Sequence, residues 1–415
     1  MRHSSWSILL LFCLSCALFG SQVQDSRAQN QQNAQERAVV LEAKLTTEKD
    51  QSVLILTFTR PVSVFSYPMM QPDRLIIDLP LVNFQVPDSF RQARSPLVKM
   101  VRFGALGPEK SRIIIDLSKP TRIARMVFVP VASGFAHALR IELEAADPRQ
   151  FEQEARSVAE QIRAQRTRNG DNDSVQIQPS VKSNEKRPLI MIDPGHGGPD
   201  FGAVGLNNIA EKDVVLAFAK TLREKIEKSG QYRVALTRDG DVFIPLRERV
   251  RIARSQGAHL FISIHADRIQ NAAEVRGMTI YTNDERATDA EAALLAEAEN
   301  RADVMGGDES EALREEVTDI LEDLAKRETR IRSGLFARTL LGRMETMGQT
   351  INKNPIRSAG FRVLRAPDIP SILLELGYLS SQSDIKSLTD PQSREKIGQD
   401  IADAVFRYFA LNPAQ

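Results

Sequence analysis

Pro188-Leu-Ile-Met-Ile-Asp-Pro-Gly-His-Gly-Gly198 is the stretch on which the architecture of this chain turns. Four apolar residues bounded by proline and aspartate, then closed by a proline–glycine pair, read as a strand buried on both faces that ends in a sharp loop. The glycines let the backbone fold back and present the imidazole of His196. Downstream, Lys212 to Ile226 has the spacing of an amphipathic helix, Tyr232 to Thr237 reads as a strand, and Leu246 to Arg254 as a helix. His259-Leu-Phe-Ile-Ser-Ile and Ser371-Ile-Leu-Leu-Glu read as further strands, and Ser393 to Phe409 as a closing helix. Such alternation predicts an α/β domain over residues 187–412, with a mostly parallel sheet flanked by helices. In folds of this kind reacting groups collect at the carboxyl ends of the strands.

Upstream the character changes. Residues 38–146 carry short runs rich in β-branched residues, including Arg74-Leu-Ile-Ile-Asp-Leu and Arg112-Ile-Ile-Ile-Asp-Leu, separated by Pro, Gly, Asp and Ser. That pattern predicts a small all-β sandwich. Residues 147–186 are polar and charged and read as a linker that tethers rather than folds, with a short helix from Phe151 to Ile162. At the amino terminus, Arg2 and His3 precede an apolar run from Ile8 to Phe19, the layout of a secretory signal peptide over residues 1–28. Cleavage is placed after Ala28, with a site near Gly20 or Ser21 as the competitor. The run is too short to span a bilayer, so the mature chain is expected to have no transmembrane segment.

Composition narrows the chemistry. With 55 Lys and Arg against 54 Asp and Glu, no overall field points to nucleic acid. Cys13 and Cys16 are the only cysteines and both lie inside the apolar run, so any metal site in the mature protein must use histidine and carboxylate. His196 follows the first strand of the α/β region, His265 closes Phe261-Ile-Ser-Ile-His, and Glu211 opens the first helix. Each of these alone is more often a structural residue. Their joint placement at strand and helix ends on one edge of a sheet matches a catalytic zinc with an open fourth position. Glu375 ends Ile372-Leu-Leu-Glu at the same edge and is assigned as general base toward the hydrolytic water, then as proton donor to the leaving amine. Asp193 is placed to accept a hydrogen bond from a ligand histidine. His137 and His259 are read as structural.

The stretches Asp193-Pro-Gly-His-Gly-Gly, Glu211-Lys-Asp-Val, Leu236-Thr-Arg-Asp, Ser263-Ile-His-Ala-Asp and Pro367-Asp-Ile-Pro-Ser-Ile-Leu-Leu-Glu, in that order, resemble the zinc-dependent N-acetylmuramoyl-L-alanine amidases (amidase type 3) of bacterial cell division. The resemblance implies zinc held by His196, Glu211 and His265, with Glu375 catalytic. It also implies peptidoglycan as substrate, septal splitting as the task and the periplasm as the place. The β-rich region resembles the AMIN domain that precedes such amidases and directs them to septal peptidoglycan. Two other readings remain open: a zinc carboxypeptidase or aminopeptidase acting on stem peptides, and a non-catalytic peptidoglycan-binding scaffold.

One segment departs from a compact hydrolase. Asp284 to Glu328 holds 16 acidic against 5 basic residues, and residues 284–330 read as an inserted helical element. Ala290 to Met305 reads as helix, and one of its carboxylates can reach the open zinc position; Glu299 is the choice, with Glu297 next. The resemblance implies the same device, since division amidases with such an insertion are held inactive by a glutamate from it until a protein activator binds. Val317, Ile320, Leu321 and Leu324 form a stripe at helical spacing, which is either core packing or the surface the activator grips.

Overall fold

The computed structural model describes residues 37–412 other than 50, 88–89, 91–92, 108, 132–135, 170–186, 270–273 and 306–319. The signal-peptide region, the end of the expected linker and Val317 lie outside these residues, as do the side chains of Ile320, Leu321 and Leu324.

The amino-terminal region is a β-sandwich. Its strands are β1 (Val39–Glu48), β2 (Gln51–Phe58), β3 (Phe65–Met69), β4 (Arg74–Pro80), β5 (Asn83–Phe84), β6 (Val98–Leu106), β7 (Lys110–Leu117), β8 (Thr121–Pro130) and β9 (His137–Ala145). One sheet has the order β5-β1-β2-β9-β8, and the other contains β6-β7-β4-β3. The two Ile-Ile-Asp-Leu phrases are β4 and β7, which pair antiparallel with Ile76 opposite Ile114. Strand alternation sends Leu75, Ile77, Ile113 and Ile115 into the core between the sheets. It sends Arg74, Asp78, Arg112 and Asp116 to the outer face, where they pair as Arg74–Asp116 (2.9 Å) and Arg112–Asp78 (2.6 Å).

The expectation of a tether after the sandwich is corrected for its first half. Residues Pro148–Asn169 form one helix, α1, which extends past the expected Phe151–Ile162 at both ends. Phe151 enters the sandwich core, and Val158 and Ile162 cover Tyr67, Met69, Ile76 and Ile114 on the outer sheet face. Apolar residues at 151, 155, 158 and 162 recur at helical spacing, so a thin stripe suffices to dock an otherwise polar helix.

The second region is α/β. It comprises β10 (Leu189–Pro194), α2 (Glu211–Glu227), β11 (Arg233–Leu236), β12 (Val242–Phe243), α3 (Leu246–Ser255), β13 (Leu260–His265), β14 (Met278–Asn283), α4 (Ala290–Asn300), α5 (Ala302–Met305), α6 (Ile320–Thr346), β15 (Ile351–Ala359), β16 (Ser371–Glu375), α7 (Gln382–Thr389) and α8 (Pro391–Leu411). The six-stranded sheet has the order β11-β10-β13-β16-β14-β15 and is parallel except where β14 meets β16. Every residue of β10, β13 and β16 is buried, as strands covered on both faces require. Helices α2, α6 and α8 pack on one face through Phe218, Leu222, Phe336, Leu340 and Val405. On the other face Leu246, Ile252, Leu295 and Phe361 gather around Met191 and Phe261. Ala290 to Met305, expected as one helix, is two, separated at Arg301. Among the described residues no helix is long and apolar enough to cross a membrane.

Candidate active site and metal centre

Parallel pairing places His265 and Glu375 side by side at the carboxyl ends of β13 and β16. One strand over, β10 runs into the turn that carries His196. Glu211 opens α2, where an acidic side chain complements the positive end of the helix dipole. The loop between His196 and Glu211 is closed by bridges between Gly197 and Asp200 and between Val204 and Ala210, which bring the helix start back to the histidine.

The result is a compact cluster. His196 Nε2 lies 3.2 Å from Glu211 Oε2, and His265 Nδ1 lies 3.1 Å from Glu211 Oε1. Glu299, from the last turn of α4, brings its Oε2 to 3.6 Å from His196 Nε2 and 3.4 Å from His265 Nδ1. One ligand atom each from His196, His265 and Glu299 lies within 4.8 Å of the others. The two rings meet edge to face with centroids 4.9 Å apart. Glu211 is fixed from behind by the Ala203 and Ala266 N–H groups at 2.8 and 2.9 Å. Glu297, the other candidate of the insertion, points away and pairs with Arg301 at the exposed side of α4.

Electrostatics follow from this crowding. Burial opposes charge on the His196 ring, but Glu211, Asp200 and Glu299 outweigh it and hold its pKa well above the ordinary value. Glu211 is held well below the carboxylate range, its burial overcome by the two histidines. Burial raises Glu299. Glu375 is raised well above its ordinary value by burial and then by the negative charges of Glu211 and Asp267. Its Oε2 accepts the Asp267 N–H (2.9 Å). Both Glu375 Oε1 and His196 Nε2 are buried without a hydrogen-bond partner. Buried unpaired polar atoms are costly, and His196 Nε2 lies where the carboxylates of Glu211 and Glu299 crowd one spot; a divalent cation there would satisfy the nitrogen and offset the crowded charge. The donor set thus fits a metal ion.

His196 has φ +59, a left-handed conformation that costs a non-glycine residue roughly 1–2 kcal/mol. Two buried arginines hold the turn. Arg249 donates from Nη1 to Asp193 Oδ1 (2.9 Å) and the Pro194 carbonyl (2.8 Å), and from Nη2 to the His196 carbonyl (2.8 Å). Arg238 donates to the carbonyls of Pro194 (2.9 Å), Gly195 (2.7 Å) and Lys212 (3.0 Å). Gly195 must lack a side chain, because a Cβ there would sit 2.4 Å from Cε1 of His265.

The expected role of Asp193 is corrected. It accepts from Thr237 Oγ1 (2.5 Å), Ser263 Oγ (2.7 Å) and Arg249, and none of its bonds reaches a histidine. The orienting carboxylate is Asp200, four residues after His196, whose Oδ2 accepts from His196 Nδ1 (2.9 Å) and so directs Nε2 into the cluster. Its pKa is lowered to about 2, burial being overcome by His196. The sequence reading gives Asp200, Arg238 and Arg249 no role; the local signals are the i, i+4 spacing of His196 and Asp200 beyond a glycine turn and the place of Arg238 in Leu236-Thr-Arg-Asp. His259 stands at the far end of β13 and accepts the Leu189 N–H (3.2 Å).

Fold and site together define an α/β protein with a histidine–carboxylate centre, suited to a divalent cation, at the carboxyl edge of its sheet. Residues 190–407 match the family described as N-acetylmuramoyl-L-alanine amidase, and residues 42–134 match the AMIN domain. The chain is 32% identical to the N-acetylmuramoyl-L-alanine amidase AmiC of Escherichia coli over 85% of each chain, and 33% identical to AmiC of Neisseria meningitidis over 86% of each. A solved structure of the amidase AmiC2 of Nostoc punctiforme, 29% identical, covers 54% of this chain and 97% of that one with a TM-score of 0.39. The chain belongs to the N-acetylmuramoyl-L-alanine amidase family, in its AMIN-containing type 3 form, whose activity is hydrolysis of the amide that joins peptidoglycan glycan to its stem peptide.

Proposed function

We propose that this amidase is a zinc enzyme, exported to the periplasm, that splits septal peptidoglycan and is held inactive by Glu299 until a protein activator displaces α4. The observation that carries the reading is the convergence of His196 Nε2, His265 Nδ1, Glu211 and Glu299 on one buried point. Imidazole nitrogens and carboxylate oxygens without thiolate are a donor set that zinc takes in hydrolases. His196, Glu211 and His265 would hold the ion. When bound there, it supplies a Lewis acid and the positive charge that the surrounding carboxylates lack.

This chain's own residues do the rest. Glu375 takes a proton from the hydrolytic water, whose oxygen bonds to the lactyl carbonyl carbon. The C–N bond to L-alanine breaks, and Glu375 returns the proton to the leaving nitrogen, so the products are a free muramic lactyl carboxylate and a peptide amine. Asp200 keeps His196 in one tautomer, and the two arginines keep its turn in place. Glu299 occupies the approach that the carbonyl needs. The exposed Leu294, on the same helix and near its opposite face, is a fitting foothold for an activator. Export rests on the layout of residues 1–28, and the septal role on the AMIN region and the kinship with AmiC proteins.

Metal analysis of the purified chain, with mass spectrometry of fragments released from sacculi, tests the assignment. The expected outcome is about one zinc per chain and free L-alanine amino termini on released peptides with intact glycan. Shortened stem peptides would indicate a carboxypeptidase or aminopeptidase instead, and absence of any release after α4 is displaced would indicate a scaffold.

A further inference from the structure

The sandwich and the α/β region meet at the turn that carries His196. β12, from the α/β region, pairs in parallel with β6 at the open edge of the sandwich sheet, with Val242 opposite Ala105 and Phe243 opposite Leu106. An edge strand with unpaired backbone groups is thereby covered from within the same chain. Beside this pairing two glycines face each other. A Cβ on Gly104 would lie 2.2 Å from the Gly198 carbonyl carbon and 2.6 Å from the Pro199 nitrogen, and a Cβ on Gly198 would lie 2.2 Å from the Ala105 carbonyl oxygen. Glycine inside a strand weakens it, and its presence in β6 marks a place where another backbone comes close.

Gly198 is two residues from His196 and is pinned from its own side as well. Its N–H donates to Asp241 Oδ1 (2.7 Å), and its carbonyl accepts from Lys212 Nζ (2.7 Å), which also bonds Asp241 Oδ2 (2.6 Å). The ring of Phe103, on β6, meets the buried Phe201 edge to face at 6.3 Å. Arg102, the next residue along, is buried on the outer sheet face with its guanidinium doubly bonded to Asp116 (2.9 and 2.8 Å). Two contacts thus run from β6 to the segment that carries His196, Gly104 against Gly198 and the Phe103 ring against Phe201.

We propose that the AMIN domain is part of the active site: docked through β6, it fixes the His196 turn, with Gly104 and Phe103 as positioning residues for the metal-binding histidine. Besides any wall recognition, the domain then serves as one wall of the catalytic centre, and its attachment governs how tightly the metal is held. The proposal rests on the reading of His196 as a metal ligand, and the test separates the two.

The test uses full-length protein, with zinc affinity measured by chelator competition and the radius of gyration by small-angle scattering. Gly104→Leu places a side chain against backbone that cannot yield, so the domains are expected to part and zinc affinity to fall about tenfold, the scale of lost support behind a ligand. Phe103→Ala removes the ring contact with Phe201 and is expected to weaken zinc several-fold with the melting temperature near the parent's, and Phe103→Tyr, which keeps the ring, is expected to recover most of the loss. His196→Ala serves as the reference for loss of a ligand. If His196→Ala binds zinc as tightly as the parent, the metal reading fails and the proposal with it. If His196→Ala loses zinc while Phe103→Ala matches the parent, or Gly104→Leu either stays compact or parts without loss of affinity, the coupling alone is overturned.

Discussion

The two sources of carboxylate at this site are held in opposite ways. Glu211 sits at the start of a helix packed into the main core, takes two backbone N–H bonds, and faces His265 at the end of a buried strand and His196, whose turn is fixed by buried arginines. Glu299 arrives on an eleven-residue helix that buries Ala292, Leu295 and Ala296, leaves Leu294 exposed, and borders an open groove of about 400 Å³ lined by Ala293, Glu297 and Asn300 on one side and by Gly360 and Arg362 on the other. The first arrangement resists displacement because moving any member strands buried charge. The second can leave with modest loss of packing. On the proposed reading, a permanent edge and a removable carboxylate at one point would make a gate out of a ligand site.

The largest expected effect falls on the permanent edge. Replacing Glu375 with Ala removes proton transfer at both stages and should lower hydrolysis by about 10²- to 10⁴-fold, with zinc content and melting temperature near the parent's. Near-parent dye release from sacculi would show that another group moves the proton. Arg249→Met comes next: four hydrogen bonds, three of them to the His196 turn or the end of β10, are lost, and the left-handed His196 is no longer tied. Zinc affinity should drop roughly 10- to 100-fold. An unchanged affinity would mean that Arg238 alone holds the turn.

The gate should respond in the other direction. Glu299→Ala removes the competing carboxylate while leaving His196, Glu211 and His265, so basal activity should rise, by about tenfold or more if the open form holds at most a tenth of the molecules. Loss of zinc without any gain in rate would make Glu299 a structural ligand and erase the contrast between the two carboxylates.

Legibility in the sequence follows the same division. The sheet and the positions of His196, Glu211, His265 and Glu375 could be read because each stands at the end of an apolar run or opens a periodic helix, so its place is set locally. Asp200, Arg238 and Arg249 act across loops, and Asp193 was misread because a strand-end aspartate looks equally suited to a histidine or to the Thr237, Ser263 and Arg249 partners it has. β14 and β15 have no counterpart in the sequence reading, because polar residues such as Thr279, Thr282, Lys353 and Asn354 break their apolar runs, and α1 is longer than expected because its apolar residues are sparse. The role of Gly104 is invisible in sequence, since the backbone it must clear belongs to a turn 94 positions on.

The smallest effect is expected at the seat of the gate. Asn300, next to Glu299, donates from Nδ2 to the Gly360 carbonyl (2.8 Å) and accepts the Arg362 N–H with Oδ1 (2.8 Å), so one side chain ties the end of α4 to the segment after β15. Asn300→Ala should cost the closed form about 1 kcal/mol, which raises the open population and the basal rate roughly fivefold, short of the Glu299→Ala value because Glu299 can still return. Zinc affinity should stay within about twofold, since the fixed ligands are untouched. If Asn300→Ala matched the parent, the gate would be held by the buried alanines and Leu295 instead. If it matched Glu299→Ala, this one anchor would carry the whole closure.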